Sequence, residues 1–329
     1  MKVKTLIYQL KQKIKEKAFK SPYGILFFYR LRIIREKLSL ARFSDETYIT
    51  TTYKKRYGRD LNFKNPETYT EKLQWLKFFY RNSEMPVCTD KYTVRQYLTE
   101  HGYSYLLNSL IGVYNNANDI DFASLPDRFV AKANHGSSWN LICNDKNKLN
   151  WPVWRKIMNT WLKLNLFVIG REWNYKYIPP RIIIEEFIEH EPLIDYKFMC
   201  FNGEPKFIQI NSKLKGEQYM DLYDINWNKM DSTYKYYIRS EGILDKPPKF
   251  KKMIELAKKI SSPFPFVRVD FYNFNEKIIF GEMTFFPGSG LIPLIPAENK
   301  FDELLGSHLE LPTPNHNLDL YKKVTAEPG

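Results

Sequence analysis

Apolar and polar positions alternate most clearly near the C-terminal end of the chain. Val267, Val269 and Phe271 interleave with Arg268, Asp270 and Tyr272, and after a short polar turn Ile279-Phe280 leads to Gly281-Glu282-Met283-Thr284-Phe285. A period of two predicts strands, and the polar turn makes a hairpin the simplest connection. With the turn centred on Glu276, facing positions sum to 552, which sets Asp270 against Glu282 and Arg268 against Thr284. Two facing carboxylates repel unless a cation lies between them, and a hard divalent ion such as Mg²⁺ takes oxygen ligands of this kind.

A second hairpin is predicted upstream. Asp195-Tyr196-Lys197-Phe198-Met199-Cys200-Phe201 meets Asn202-Gly203 and returns as Lys206-Phe207-Ile208-Gln209-Ile210, with Asn-Gly suited to a two-residue turn. Facing positions summing to 405 pair Lys197 with Ile208 and Met199 with Lys206. Further strands are expected over Arg128–Asn134, which runs into the polar loop His135-Gly136-Ser137-Ser138, and over Arg181–Ile184, which ends in Glu185-Glu186-Phe187-Ile188. Lys132 shares a strand face with Val130 and Asn134. A cation beside a Gly-Ser loop with free backbone N–H groups can cradle polyphosphate, and the Glu185–Ile188 strand end can offer an apolar slot to a flat base.

Helical periodicity covers Ser44 to about Tyr80, with start signals at Thr68, Thr70 and Glu71, and is read as a small helical N-terminal lobe. Thr89-Asp90-Lys91 opens a helix with Val94, Tyr97 and Leu98 on one face, and Trp151–Phe167 is helix-like. Pro312–Gly329 is expected to be loosely ordered.

Charge changes the picture at the N-terminus. Of a net +13, residues 1–37 hold eleven Lys/Arg against Glu16 and Glu36, or 11 − 2 = +9. Leu6, Ile7, Leu10 and Ile14 recur at helical spacing among lysines, and Ile25–Tyr29 follow Pro22 and Gly24, which describes a basic amphipathic arm. Such an arm can lie on anionic lipid, hold an acidic polymer or pack on the body. No nucleic-acid-binding signature accompanies it. The 329 residues suffice for two or three lobes, and Cys88, Cys143 and Cys200 support neither a disulfide framework nor a zinc cluster. No signal-peptide layout or membrane-spanning run is visible, so a cytoplasmic location, at most peripheral to the membrane, is expected.

Taken in order, Asp90-Lys91, Phe129-Val130-Ala131-Lys132, Ile184-Glu185-Glu186-Phe187-Ile188, Asp195-Tyr196-Lys197, Arg268-Val269-Asp270 and Gly281-Glu282-Met283-Thr284 resemble the ATP-grasp superfamily over about 88–306. Lys132-Ala133-Asn134-His135-Gly136, Asp195–Gly203 and Phe280–Phe285 are similar to its TupA-like branch, named for teichuronopeptide biosynthesis. The resemblance implies an α+β fold in which two lobes with antiparallel sheets close on ATP. Its boundaries are a basic helical region at 1–85, a first lobe with its preceding helix at 86–190, a second lobe at 191–311 and the tail at 312–329.

By that resemblance Lys91, Lys132 and the loop His135, Gly136, Ser137 and Ser138 would bind phosphate. Glu185, Glu186, Phe187 and Ile188 would line the base, Asp195 would reach the ribose, and Asp270, Glu282 and Thr284 would hold Mg²⁺. Relatives commonly have Asn where Thr284 stands, a longer ligand. Lys197, Arg268 and Lys213 would stabilise an acyl phosphate and the oxyanion of a carboxylate–amine ligase. The implied substrates are ATP, a uronic acid or acidic glycan of a bacterial surface polysaccharide, and an amino acid. Two other readings stand beside this one. Asp119-Ile120-Asp121 has the spacing of a glycosyltransferase metal-nucleotide motif, and a non-catalytic relative could serve as a nucleotide- or glycan-binding scaffold. Arg268 could also simply pair with Asp270 or Glu282.

Overall fold

The structure of the protein is a computed structural model that describes residues 19–189, 194–214, 217–274 and 277–325. The first half of the basic arm, residues 1–18, therefore lies outside the described residues, and its second half is the helix α1 (Pro22–Arg42). Ser21 starts α1 by accepting from the Gly24 N–H at 3.2 Å, and Pro22 occupies the first turn, where its missing donor costs nothing. Helix α2 (Asp45–Tyr57) is capped by Ser44, has Asp45 and Glu46 in its first turn and Lys54, Lys55 and Arg56 in its last, and so complements the helix dipole at both ends. Helix α3 (Tyr69–Phe79) begins with a reciprocal capping box between Thr68 and Glu71. Two short helices follow, α4 (Glu84–Thr89) and α5 (Thr93–Glu100).

The first sheet contains β1 (Leu110–Tyr114), β2 (Phe129–Ala133), β3 (Asn140–Cys143) and β4 (Ile182–Glu186), ordered β1-β4-β2-β3 and wholly antiparallel. Phe129, Ala131 and Ala133 are buried beneath α6 (Trp151–Trp161) and α1, whereas Val130 and Lys132 take the other face, as the alternation predicts. A short α7 (Phe167–Gly170) ends the helical segment.

The second sheet is also antiparallel, in the order β10-β9-β5-β6-β7, from β5 (Asp195–Phe201), β6 (Glu204–Leu214), β7 (Glu217–Asp224), β9 (Phe266–Phe274) and β10 (Lys277–Thr284). Helix α8 (Phe250–Ser261) covers one face with Met253, Leu256, Ala257 and Ile260. Phe198 and Phe271 reach the same core and are fully buried, each contributing roughly 2 kcal/mol of transfer free energy. A small β8 (Thr233–Tyr234) pairs with β11 (Leu294–Ile295), and α9 (Phe301–Ser307) follows.

The hairpin registers differ from expectation in one informative way. At the β5–β6 turn Asn202 and Gly203 take φ 48 and 80, the left-handed backbone of a tight hairpin. Phe201↔Glu204 and Cys200↔Pro205 follow the sum of 405, but the ladder then shifts, so Lys197 faces Gln209 rather than Ile208 and Met199 faces Phe207 rather than Lys206. Pro205 has no N–H to give the ladder, and a bulge beside it absorbs the extra residue. On β9–β10, Asp270↔Glu282 and Arg268↔Thr284 pair as expected, and the irregularity falls at Gly281, beyond which Phe271 faces Phe280.

Two expectations about segments are corrected. The N-terminal helices form no lobe of their own, because α1 packs into the core of the first sheet while Leu73, Trp75 and Phe79 of α3 share the core of the second. The tail carries helix α10 (Leu318–Thr325), whose Tyr321 packs edge-on against Trp75 and Phe79.

Candidate active site

Between the two sheets lies a cleft of about 480 Å³. Its floor comes from the face of the second sheet opposite α8. Register places Gln209, Lys197, Asp270 and Glu282 side by side on β6, β5, β9 and β10, with Asp195, Arg268 and Thr284 in adjoining rows. Charged residues can hold these positions because their alternate neighbours Tyr196, Phe198, Val267, Val269 and Phe271 anchor the same strands in the core.

The charged groups compensate one another. Asp270, 1% exposed, accepts from Lys197 Nζ at 2.6 Å and from Arg268 Nε and an Arg268 terminal nitrogen at 2.7 Å each. Arg268 also reaches Glu282 Oε1 at 3.2 Å and Thr284 Oγ1 at 3.1 Å, and Lys197 additionally pairs with Asp195. Burial alone would raise the Glu282 carboxyl, but Lys91, Arg268 and Lys197 hold it at about 2. Asp195 moves the other way. Burial pushes it up to about 6 despite the pull of Lys197, with Asp270 adding to the rise. Burial works against the Lys197 ammonium, yet its pKa is raised, chiefly by Asp270.

The opposite wall belongs to the first sheet. Lys91 lies between α4 and α5, whose Cys88, Val94 and Leu98 share the core of the second sheet. It donates to the Gly136 carbonyl of the first sheet's loop at 2.7 Å and stands 3.4 Å from Glu282 Oε2, so it ties that loop to the second sheet across the cleft. Asn134 sets this geometry: its amide nitrogen donates to Asp90 Oδ1 at 2.8 Å and to the Pro179 carbonyl at 3.0 Å, while its oxygen accepts from the Arg181 N–H. Gly136, Ser137 and Ser138 line the cleft with Trp139, and Gly136 has no room for a side chain because a Cβ there would fall on the Trp139 ring. Lys132 lines the cleft too, and its ammonium lies 2.6 Å from the Glu185 carboxylate on β4.

A narrow slot of about 30 Å³ continues from the cleft between Val94, Leu107, Ile188, Tyr272 and Phe280, with Glu185 and Arg95 at its rim. It has room for a water or two. Arg95 binds Glu185 at 3.2 Å, a contact the sequence reading did not include.

Four expected site residues stand elsewhere or lie beyond description. His135 is 2% exposed and points into the first lobe, with Nε2 3.2 Å from the Trp161 and Leu164 carbonyls; burial, with Lys91 adding to it, lowers it to about 4. It supports the loop from behind rather than facing the cleft. Glu186 is exposed, because strand alternation turns it away from the face of Glu185, and Phe187 sits under the Arg128 guanidinium at 4.0 Å. Lys213 lies on β6 opposite Gln218, with its side chain outside the described residues. The Asp119–Asp121 motif does not line the cleft either; Asp121 accepts from the Ala123 N–H in a local turn.

The sequence reading missed the far wall. Gln209, Asn211, Tyr234 and Tyr237 line it together with Met220 and Ile292. Gln209 and Asn211 left a trace, two amides on alternate positions beside the apolar Phe207, Ile208 and Ile210 of β6, whereas Tyr234 ends the two-residue β8 and Tyr237 follows it, a stretch too short to show a period. Asp221, fully buried, ties that stretch down through Lys229 Nζ at 2.8 Å and Ser240 Oγ at 2.7 Å. Among the described residues no three His, Cys, Asp or Glu side chains gather in one metal-sized group.

Residues 71–310 match the family described as TupA-like ATPgrasp. Among solved structures the chain is similar to the D-alanine–D-alanine ligase of Helicobacter pylori, at 16% identity and a TM-score of 0.38, covering 74% of this chain and 70% of that one. The corresponding ligase of Coxiella burnetii gives 15% identity and a TM-score of 0.39, covering 77% and 65%. An ADP complex of N5-carboxyaminoimidazole ribonucleotide synthetase gives 13% and 0.41, covering 75% and 60%. No curated protein is detectably similar in sequence.

Proposed function

The chain belongs to the TupA-like ATP-grasp family, and from that premise we propose that it is an ATP-dependent ligase joining a carboxylate to an amine. The observation that carries this reading is the meeting of Lys91, tied to the Gly136 loop of the first sheet, with Glu282 of the second, beside Lys197, Arg268 and Asp270. In the reaction a substrate carboxylate oxygen attacks the γ-phosphorus of ATP and releases ADP. The amine then attacks the acyl carbon of the resulting acyl phosphate, phosphate leaves, and the amine loses a proton as the amide forms.

The donor set suits both ATP and Mg²⁺. Two carboxylates and the Thr284 hydroxyl are hard oxygen donors, and Glu282, with its side chain one-third exposed, opens to the cleft. Mg²⁺ commonly keeps waters and phosphate oxygens in its remaining positions, so a protein cage of three acids is not needed. Asp270, Glu282 and Thr284 would hold the metal, which neutralises phosphate charge when bound. Lys91, Lys132 and the N–H groups of Gly136–Ser138 would take the phosphates. The slot flanked by Ile188 and Glu185 would take the base after opening beyond its present size, with Asp195 toward the ribose. Lys197 and Arg268 would stabilise the negative charge that develops on the transferred phosphoryl group and the tetrahedral oxyanion, and Lys213 is proposed as a third cation.

For the substrates we propose a uronic-acid-containing surface glycan or its precursor and an amino acid. The amides of Gln209 and Asn211 and the rings of Tyr234 and Tyr237 provide the hydrogen-bonding and stacking wall that a sugar needs. The net charge of +13 favours an acidic one. Asp119 and Asp121 lie outside the cleft, which removes the support for a glycosyltransferase.

The test is MgATP turnover and product mass across a matrix of uronates and amino acids, with Asp270→Asn and Glu282→Gln as controls. ADP release with a product one water lighter than its two components, lost in both variants, supports the ligase. ATP bound but never consumed on any pair would return the scaffold reading, and consumption of a nucleotide sugar in place of ATP would return the transferase.

A further inference from the structure

Helix α1 carries an apolar stripe that the described residues leave largely in solvent, touched at its start where the Tyr23 hydroxyl accepts from Asn150 Nδ2 at 3.4 Å. Tyr23, Phe27, Leu31, Ile34 and Leu38 are 65, 63, 46, 58 and 65% exposed, and at 3.6 residues per turn they fall within an arc of about 80°. On the same wheel Arg30 and Lys37 border one side of the stripe, Arg35 and Arg42 border the other, and all four are exposed. The one acid between residues 20 and 43 is Glu36, which is 8% exposed and held by Arg32 at 2.9 Å. The outward surface of α1 is thus apolar along its middle and cationic along both edges.

Large side chains exposed singly are ordinary, but five in register on one helix face call for a partner. Charge decides which. Residues 1–18 hold six lysines against Glu16, so they share the sign of the rims and are poor cover for them. A second copy would set the same cations against each other. The surface is also a convex ridge, which suits insertion into a layer more than recognition of a peptide, whose anchors need a groove.

We propose that α1 is an interfacial helix that lies on an anionic membrane surface. Tyr23, Phe27, Leu31, Ile34 and Leu38 enter the boundary between headgroups and acyl chains, and the flanking arginines and lysines reach lipid phosphates. The inner face of the same helix touches the cleft. Arg32 stacks over the Trp139 ring at 5.0 Å and the Tyr29 hydroxyl approaches the Ser138 carbonyl at 3.5 Å, while Ser138 and Trp139 line the cleft. Docking therefore holds the cleft beside the bilayer, where a lipid-carried substrate would be presented. The membrane contact stands or falls independently of the ligase reading, because its test measures no turnover.

The test is co-sedimentation of the full chain with vesicles of phosphatidylcholine alone or containing phosphatidylglycerol. Two variants are compared, Phe27→Ser/Leu31→Ser/Ile34→Ser and Arg30→Glu/Arg35→Glu/Lys37→Glu, all at exposed positions whose replacement leaves the core intact. Wild type is expected on anionic vesicles and not on neutral ones, with binding about tenfold weaker in each variant. Absence of binding to phosphatidylglycerol vesicles overturns the proposal, as does a serine variant that binds as wild type does. A wild-type dimer that becomes monomeric in the serine variant assigns the stripe to a second copy instead.

Discussion

Lys197 on β5 and Asp270 on β9 face each other in register, with Nζ 2.6 Å from Oδ2 and both side chains nearly shut off from solvent. The pair is anchored in two neighbouring strands rather than in loops, so its position cannot drift without disturbing the sheet. Arg268 holds the same carboxylate through two further hydrogen bonds, so removing the lysine leaves Asp270 with a partner. Lys197→Met is therefore expected to retain the fold and to lower the rate of ADP formation about 100- to 1,000-fold, with a much smaller change in ATP affinity. Single-turnover kinetics and equilibrium binding separate the two. Equal losses in both would take Lys197 out of the chemical step.

Asp195 sets a pH dependence. Burial places its folded value at about 6, above the usual 3.8, so the folded state holds this proton more tightly than the unfolded chain. Its contribution to stability is fully present below about pH 4 and is lost as pH rises toward about 6. ATP binding that uses the ionised carboxylate as an acceptor strengthens over the same rise. Titration calorimetry of ATP between about pH 5 and 8 should show an inflection that Asp195→Asn abolishes. Glu282, held at about 2, contributes nothing in that window, so an inflection that vanishes in Glu282→Gln and survives in Asp195→Asn contradicts the assignment.

The loop wall can be probed without touching a charge. In Gly136→Ala the new methyl meets the Trp139 ring, and the loop must move away from its present course. ATP affinity is expected to fall about tenfold, or 1.4 kcal/mol. Mant-nucleotide fluorescence would measure it; an unchanged affinity would mean that nucleotide does not use the 136–138 backbone.

Asp221 touches no part of the cleft, yet it fastens the loop that carries Tyr234 and Tyr237. Asp221→Ala strands the Lys229 ammonium in a site with little solvent, at a cost of about 3 kcal/mol in urea unfolding. Steady-state kinetics should show a higher KM for the acceptor and an unchanged KM for ATP. A matching rise in both would mean that the tyrosine wall serves the nucleotide.

The charged floor was legible because strands write their two faces in alternate letters, and Arg268, Asp270, Lys197 and Glu282 interrupt otherwise apolar runs. Register was legible at Asp270↔Glu282 and failed by one residue at Lys197↔Gln209, where Pro205 forces a bulge whose position no alternation marks. Contacts across the cleft, such as Lys91 with both Gly136 and Glu282, depend on how two sheets are held and have no period to read. His135 shows the opposite error, since its place in the Gly-Ser loop put it among the phosphate-binding residues, while packing against α6 turns its ring inward. The face of α1 that stays in solvent was equally hidden, because apolar spacing reports that a stripe exists and not what covers it.

The floor of the cleft holds Asp195, Asp270 and Glu282 against Lys91, Lys197 and Arg268, so charge is already balanced in the structure as it stands. In the proposed mechanism a bare divalent ion on Asp270 and Glu282 would have to displace Arg268 and Lys91 and leave Lys197 only Asp195, and bare nucleotide would have to draw those same groups away from their carboxylates. Together the two ligands would resolve the conflict, the metal taking the acids and the phosphates taking the bases. Their affinities would then be linked, each strengthening the other by the same factor, and the resting enzyme would bind either one alone more weakly than the two together.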